Sequence, residues 1–292
     1  MVYDMSIIAI IVTYNPDPHR FRLVLTSVTE QVNRVVIVDN DSDNRDFIKD
    51  LCTDVNNCDF IEVSFNSGIA HALRVGIEYA KKYRPDWFLF LDDDTILLKN
   101  ALNIVLKVTS SLLNITRNKV GAVLLSSVDG NCSLKEVKYG VFSGTLIKAE
   151  VASRTCCRDD FFLDQADFDM YSRIRDLGYL TLTISCRLID HRLGLRQWSR
   201  ILRKAIIYEP PWRYYYIVRN STKLLIEGKM DFIYYLRQLI DWGVKILLVD
   251  GLTAFIKPFG LGLIHALIGK LGYLDRRIFN QHEVGEFHGY TP

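Results

Sequence analysis

The chain has 292 residues, 36 basic and 34 acidic side chains, a formal charge of +2 and 49% apolar residues. That length allows about two domains, or one large domain with an extension. The apolar content excludes a largely disordered chain, and the near-neutral balance argues against a protein that coats nucleic acid, so no nucleic-acid partner is expected.

Through the first 130 residues, short apolar runs rich in Val, Ile or Phe alternate with helical patterns. Ile7–Val12 comes first. It follows Asp4, lacks a basic leader and is too short for a signal peptide, so it reads as a buried strand. Val35–Asp39, Phe60–Ser64, Phe88–Leu91 and Val120–Ser126 read the same way. Between them the clearest helix has Ile69, Leu73, Gly76, Ile77 and Ala80 at three- and four-residue spacings, opened by Asn66-Ser67-Gly68. This alternation predicts an α/β, Rossmann-like fold: a mostly parallel sheet with helices on both faces. Gly140–Ile147 then predicts a strand with a Ser-Gly break, Ala166–Leu177 a helix stopped by Gly178, and Leu180–Cys186 another strand.

From about Gly194 the chain reads as helical. There Arg192, Arg196, Arg200 and Lys204 would stack on one helix face, suiting either a phosphate group or an anionic membrane surface. The expected organisation is a domain over residues 1–205, itself divided near 130–131, and a C-terminal helical region over 206–292. The most apolar stretch, Trp242–Tyr273, is broken by Lys245, Asp250, Lys257, Pro258, His265 and Lys270. It predicts amphipathic helices that pack on the body or lie on a membrane, with no membrane span. Cys52, Cys58, Cys132, Cys156, Cys157 and Cys186 contain no CxxC pair and no zinc-ligand spacing. They are expected as reduced thiols in a cytoplasmic protein.

In open α/β sheets, ligands bind at the carboxyl ends of the strands. Here those ends carry Thr13-Tyr14-Asn15-Pro16, Asp39-Asn40-Asp41-Ser42 and Asp92-Asp93-Asp94-Thr95. No GxGxxG or GxxxxGK[ST] is present, which argues against dehydrogenase-type and P-loop nucleotide sites. Three successive carboxylates repel one another unless a cation or donors neutralise them. At a strand end Asp92 and Asp94 share a direction and Asp93 does not, and an Asp-x-Asp pair offers hard oxygen ligands suited to Mn²⁺ or Mg²⁺ on a diphosphate. Asp164, Asp167 and Asp169 cluster at the start of the Ala166–Leu177 helix, and Asp190-His191 follows the strand Leu180–Cys186.

Taken in order, Thr13-Tyr14-Asn15, Asp39-Asn40, Asn66-Ser67-Gly68, Asp92-Asp93-Asp94, Ser143-Gly144, Asp167-Phe168-Asp169 and Asp190-His191 resemble the family 2 glycosyltransferases of GT-A fold. Arg219-Asn220 after the aromatic run Tyr214–Tyr216 looks most like the bacterial rhamnosyltransferase branch. The resemblance covers roughly residues 6–225. It implies an inverting transfer of a sugar, L-rhamnose from dTDP-rhamnose in that branch, from a dTDP- or UDP-linked donor to a hydroxyl of a glycan or lipid-linked saccharide in cell-surface polysaccharide synthesis. It assigns Asp94, His191 and Asp92 to Mn²⁺ or Mg²⁺. Thr13, Tyr14, Asn15, Asp39, Asn66, Gly68, Asp92 and Asp93 go to the nucleotide, Asp167 to the catalytic base, and Ser143, Gly144 and Asp169 to the acceptor side. With the thiol and amphipathic-helix readings above, the expectation is a cytoplasmic enzyme, either free or peripheral on the inner face of the cell membrane. Two positions depart from the branch: Asp93 stands where a Gln is common, and Asp169-Met170 where Glu-Trp is common. The competing expectations are a haloacid-dehalogenase-like phosphatase using Asp92 as nucleophile, and a non-catalytic carbohydrate-binding subunit of the same fold.

Overall fold

The computed structural model describes residues 5–191, 195–199 and 203–279. The chain divides into two compact units, Met1–Asp159 with Asp167–Arg192, and Asp160–Ala166 with Leu193–Pro292.

The first unit opens with β1 (Ile7–Thr13), α1 (Pro18–Thr29), β2 (Arg34–Asp39), α2 (Arg45–Thr53), β3 (Cys58–Glu62), α3 (Ile69–Ala80) and β4 (Trp87–Asp92). It continues through β5 (Ile96–Leu97), α4 (Ala101–Ser110), α5 (Asn114–Lys119), β6 (Val120–Ser126), β7 (Leu134–Glu136), β8 (Thr145–Lys148) and α6 (Ala149–Thr155). It ends with α7 (Ala166–Asp176), β9 (Leu180–Arg187) and β10 (Ile189–Asp190). Eight strands form one sheet in the order β3-β2-β1-β4-β8-β6-β9-β7. The pairs β3–β2, β2–β1, β1–β4 and β6–β9 are parallel, while β8 runs antiparallel to both β4 and β6, and β7 runs antiparallel to β9.

Every residue of β1 is buried, which is why it reads as an unbroken apolar run: helices cover both faces of a parallel strand. Ile7, Ala9 and Ile11 join Phe21, Val24, Leu25 and Val28 of α1 in one cluster. On the opposite face α3 lies so close that a Cβ on Gly76 would fall 2.6 Å from Ile10 Cγ2. Chain order proceeds outward from β1 to β3, then returns to the other side of β1 with β4. The β1–β4 crevice is therefore the switch point of the sheet, and the register Val12↔Asp92 and Thr13↔Asp39 brings the three strand ends level.

The second unit holds the hairpin β11 (Leu195–Ser199) and β12 (Lys204–Tyr208), then α8 (Pro211–Ile226), α9 (Phe232–Val249) and α10 (Leu252–Leu267). The aromatic run on α8 is core here: Tyr214, Tyr215 and Tyr216 are buried, and Tyr215 and Tyr216 pack with Phe162. Asn220 donates through Nδ2 to the carbonyls of Phe161, Leu163 and Asp164 at 3.0, 2.8 and 3.0 Å. It thereby holds a loop in which Phe162, Asp164 and Gln165 all have positive φ. No helix among the described residues is long and apolar enough to cross a membrane.

Three expectations are corrected. The stretch after Gly194 begins as an antiparallel hairpin, with Arg196 opposite Ile207 and Ser199 opposite Lys204, so the four-residue spacing of basic side chains forms no helical face. Arg192 and Arg200 lie outside the described residues. The expected strand Gly140–Ile147 is a turn up to Gly144, whose φ is +82, and a strand only from Thr145. The cysteines are paired in disulfides, Cys52–Cys58, Cys132–Cys186 and Cys156–Cys157, with none free. Folding brings Cys52 to Cys58 and Cys132 to Cys186, pairs that no spacing rule links, so the thiol argument for a reducing compartment does not hold.

Candidate active site

Thr13 ends β1 and Asp39 ends β2, and both side chains are fully buried. The Thr13 hydroxyl donates to Asp39 Oδ1 at 2.9 Å, and Asp39 Oδ2 accepts the Ser42 N–H at 3.0 Å. A buried carboxylate satisfied in this way fixes the floor of the rim. Beyond it Asn15, at φ 51, accepts the Asp43 N–H through Oδ1 at 2.6 Å, and its own N–H donates to Ser42 Oγ at 2.9 Å. Tyr14 stands 48% exposed beside this floor, an aromatic face open to a ligand. On the same rim Asn66 Oδ1 accepts from Asn40 Nδ2 at 3.1 Å and from the Gly68 N–H at 3.2 Å. Gly68 has φ +84 where the chain enters α3, a backbone state that glycine adopts without strain.

The three carboxylates after β4 separate. Asp93 turns back and accepts the Tyr14 N–H at 3.0 Å. Burial, aided by the charges of Asp92 and Asp94 and opposed by that N–H, pushes its carboxyl up to about 8. Asp92 and Asp94 instead converge with His191, with one ligand atom from each lying within 4.8 Å of the others. Chain separation is overcome by a short bridge in which β5 pairs antiparallel with β10, Ile96 opposite Asp190.

A hydroxyl chain supports this group. The Asp92 N–H donates to Ser143 Oγ at 2.9 Å, Ser143 Oγ meets Thr95 Oγ1 at 2.8 Å, and Thr95 Oγ1 meets His191 Nδ1 at 2.6 Å. His191 Nδ1 also lies 3.3 Å from Asp94 Oδ1. Burial works against a charged imidazole, but the Asp94 contact and the Asp92 and Asp94 charges outweigh it and raise His191 above the ordinary histidine range. Two carboxylates and one imidazole are a fitting donor set for a divalent cation such as Mn²⁺, and hydrogen-bonded hydroxyls behind the ligands orient them.

Residues 8–111 match the family described as glycosyl transferase family 2. The likeness to family 2 glycosyltransferases thus lies in the part of the chain that holds β1 to β4 and the Asp92–Asp94 run. The chain is 26% identical over 260 residues to the dTDP-rhamnosyl transferase RfbF of Shigella flexneri, covering 81% of this chain and 86% of that protein. Among solved structures it is similar to GalNAc-T7 crystallised with UDP, GalNAc and Mn²⁺ (TM-score 0.55, 11% identity, 65% of this chain and 44% of that one). It is also similar to S. aureus TarS (TM-score 0.53, 14% identity, 83% of this chain and 44% of that one). For TarS 1–349 the TM-score is 0.52 at 14% identity, over 90% of this chain and 81% of that one. The chain thus spans less than half the length of the first two, and the sheet is a GT-A fold.

Beyond the matched residues, Asp167 is half-buried in the first turn of α7, where its Oδ1 accepts the Phe168 N–H at 2.9 Å. One turn on, the Tyr171 hydroxyl lies 2.9 Å from Thr145 Oγ1 and feels the Asp167 charge. Asp167 therefore belongs to the neighbourhood of the Ser143-Gly144-Thr145 turn. Two acceptor-side expectations meet a different arrangement. Asp169 is fully buried between Arg173 at 2.6 Å and Arg158 at 3.8 Å, and Ser143 is buried beneath the Asp92–His191 group. Ser143 supports the site from behind, and Asp169 is engaged by the two arginines. Gly144 is pinned on both sides: its N–H donates to Phe90 O at 2.8 Å and its carbonyl accepts the Leu125 N–H at 2.9 Å.

Sequence reasoning missed Arg20, Ser42 and Thr95 as site residues. Thr95 directly follows the Asp run and was legible as its neighbour. Arg20 sits one turn into an ordinary amphipathic helix, and no spacing rule marks it.

Proposed function

We propose that the chain is a metal-dependent inverting glycosyltransferase that moves a sugar, L-rhamnose from dTDP-rhamnose as the first choice, onto a hydroxyl of a glycan or lipid-linked saccharide. The observation that carries this reading is the convergence of Asp92, Asp94 and His191 at the switch point of the sheet, beside the buried Thr13–Asp39 pair. The similarity to a dTDP-rhamnosyl transferase over 81% of the chain supports the choice of donor.

In this reading Thr13, Asp39 and Asn66 shape the nucleoside pocket, with the exposed Tyr14 ring at its edge. A divalent cation held by Asp92, Asp94 and His191 would neutralise the charge that develops on the leaving diphosphate. Asp167 accepts the proton of the acceptor hydroxyl as its oxygen bonds the anomeric carbon from the face opposite the leaving group. The bond from the anomeric carbon to the diphosphate oxygen breaks, and its electron pair leaves with the nucleotide. Ser143 and Thr95 hold the Asp92 backbone and the His191 ring in place throughout. A phosphatase reading gives no role to the buried Thr13–Asp39 pair. The test is turnover of dTDP-rhamnose, with UDP-sugars as comparison and EDTA as control. Release of dTDP in an acceptor-dependent, EDTA-sensitive manner is expected. Hydrolysis of simple phosphate esters without transfer would favour the phosphatase instead.

The proposal extends to an enzyme resting on a membrane surface. Ile233, Leu236, Ile240, Val244 and Leu247 recur every three or four residues along α9, and all are exposed. They form an apolar stripe of the kind that lies in a bilayer interface. Arg237 is exposed on the same helix. Flotation with anionic phosphatidylglycerol vesicles is expected at low salt, and Ile240→Asp with Val244→Asp should abolish it. Equal flotation of that double variant would remove α9 as the contact.

A further inference from the structure

Arg20 is 8% exposed and is placed by its own helix end: Asp17 caps α1 by accepting the Arg20 N–H at 2.7 Å. Its guanidinium then reaches two segments that are remote in sequence. Nε donates to the Asp94 carbonyl at 2.7 Å, Nη2 to the Asp190 carbonyl at 2.7 Å, and Nη1 to Asp190 Oδ2 at 2.9 Å. Asp94 is itself a candidate cation ligand, and Asp190 is the residue before another. The only sheet pairing that joins these segments among the described residues is β5–β10, with two residue pairs. A ladder so short is marginal by itself.

We propose that Arg20 is a positioning residue for the divalent-cation site, holding the Asp94 and His191 backbones at the separation a cation needs. The inference rests on the reading of Asp92, Asp94 and His191 as that site. A planar fork with several donors suits the task, because it can bond two carbonyls and a carboxylate at once in a fixed plane. A lysine delivers the charge without the plane.

One force opposes the role. A guanidinium near a divalent cation repels it. Asp190 answers that objection in part: its carboxylate is bound by Arg20 through Oδ2 at 2.9 Å and, through Oδ1, by Arg187 Nη2 at 3.1 Å. That carboxylate offsets part of the repulsion, and in this proposal the geometric contribution of Arg20 exceeds what is left. The two contributions predict opposite signs for its removal, which makes the proposal decidable.

Mn²⁺ affinity is measured by calorimetric titration with saturating UDP, and UDP affinity separately in EDTA. Arg20→Ala and Arg20→Lys are compared with the wild type, and thermal melts check folding. Loss of a supporting partner behind metal ligands weakens metal binding by about tenfold or more. Arg20→Ala should show that loss for Mn²⁺ with UDP affinity in EDTA unchanged, and Arg20→Lys should recover only part of it. A merely structural arginine would lower the melting temperature and leave Mn²⁺ affinity alone. Unchanged or tighter Mn²⁺ binding by a folded Arg20→Ala overturns the proposal, as does an equal loss of metal-free UDP binding. Should Arg20→Ala fail to fold, Arg20→Lys decides, and wild-type Mn²⁺ affinity there overturns it. Asp94→Ala separates the two levels: if it keeps wild-type Mn²⁺ affinity, the cation reading falls, and this inference with it.

Discussion

Asp94→Ala is expected to abolish the metal dependence of nucleoside-diphosphate binding and to lower transfer on the order of 10³-fold. The group removed is one of three ligand-bearing side chains within 4.8 Å of one another. A cation that stabilises developing charge contributes several kcal/mol, and each 1.36 kcal/mol is a factor of ten in rate. Stability should move differently. Asp92, Asp93 and Asp94 repel one another in the absence of a cation, and removing one carboxylate relieves part of that cost. It also removes the Asp94 contact with His191 at 3.3 Å. The two effects oppose, so the metal-free melting temperature should change little. The wild type with Mn²⁺ and UDP at a hundred times Kd should gain about 2.7 kcal/mol, because ligand bound only to the folded state stabilises it. The variant should gain far less. Paired melts with and without Mn²⁺ read this directly, and a wild-type protein whose UDP affinity is the same with and without chelator would count against the metal reading.

How much of this was legible beforehand depends on whether a signal was local or assembled. Strand ends were legible, because a strand buried on both faces is an apolar run and its rim begins where polar residues resume. The five strands expected in the first 130 residues all appear, within a few residues of their bounds. The Asp run at a strand end was legible too, but strand alternation does not explain its geometry: β4 stops at Asp92, and Asp93 and Asp94 lie in the turn that follows. Illegible were the contacts made by folding across the sheet. Nothing near residue 20 announces that its guanidinium bridges Asp94 and Asp190, and nothing near residue 143 announces a hydroxyl beneath Asp92. Arg196 misled for a different reason. Charges spaced by four mimic a helix face, yet Trp198 and Ile207 sit exposed in a paired hairpin, where tertiary pairing overrides a spacing that only four side chains support. Asp169 misled because it neighbours Asp167 in sequence. On a helix, two residues apart is the far side, and Asp169 faces inward to Arg158 and Arg173.

That separation sharpens the second large effect. Asp167→Asn is expected to lower turnover by a factor on the order of 10² to 10⁴, the usual range for a general base, with donor binding and melting temperature nearly intact. An alcohol is a poor nucleophile at neutral pH, so a carboxylate within reach of the acceptor hydroxyl must take its proton. Asp167 is the half-buried carboxylate of the first turn of α7, whose Tyr171 is tied to the Ser143-Gly144-Thr145 turn. Asparagine keeps its shape and its bond from the Phe168 N–H while removing the proton acceptor. Asp169→Asn should show the reverse pattern. It leaves Arg158 and Arg173 without a full counter-charge at a site with no solvent exposure. Breaking a buried pair costs 3–5 kcal/mol, and since Arg173 is 39% exposed the cost here is about 2–3 kcal/mol. Its melting temperature should fall while turnover per folded molecule falls less than in Asp167→Asn. Asp164 serves as control: Arg213 holds it through Nε and Nη2 at 3.0–3.2 Å, so its carboxylate is engaged elsewhere. Single-turnover rates and melts on the three variants separate the roles. If Asp167→Asn keeps most of its transfer rate while Asp169→Asn or Asp164→Asn loses it, the base is another carboxylate of the cluster.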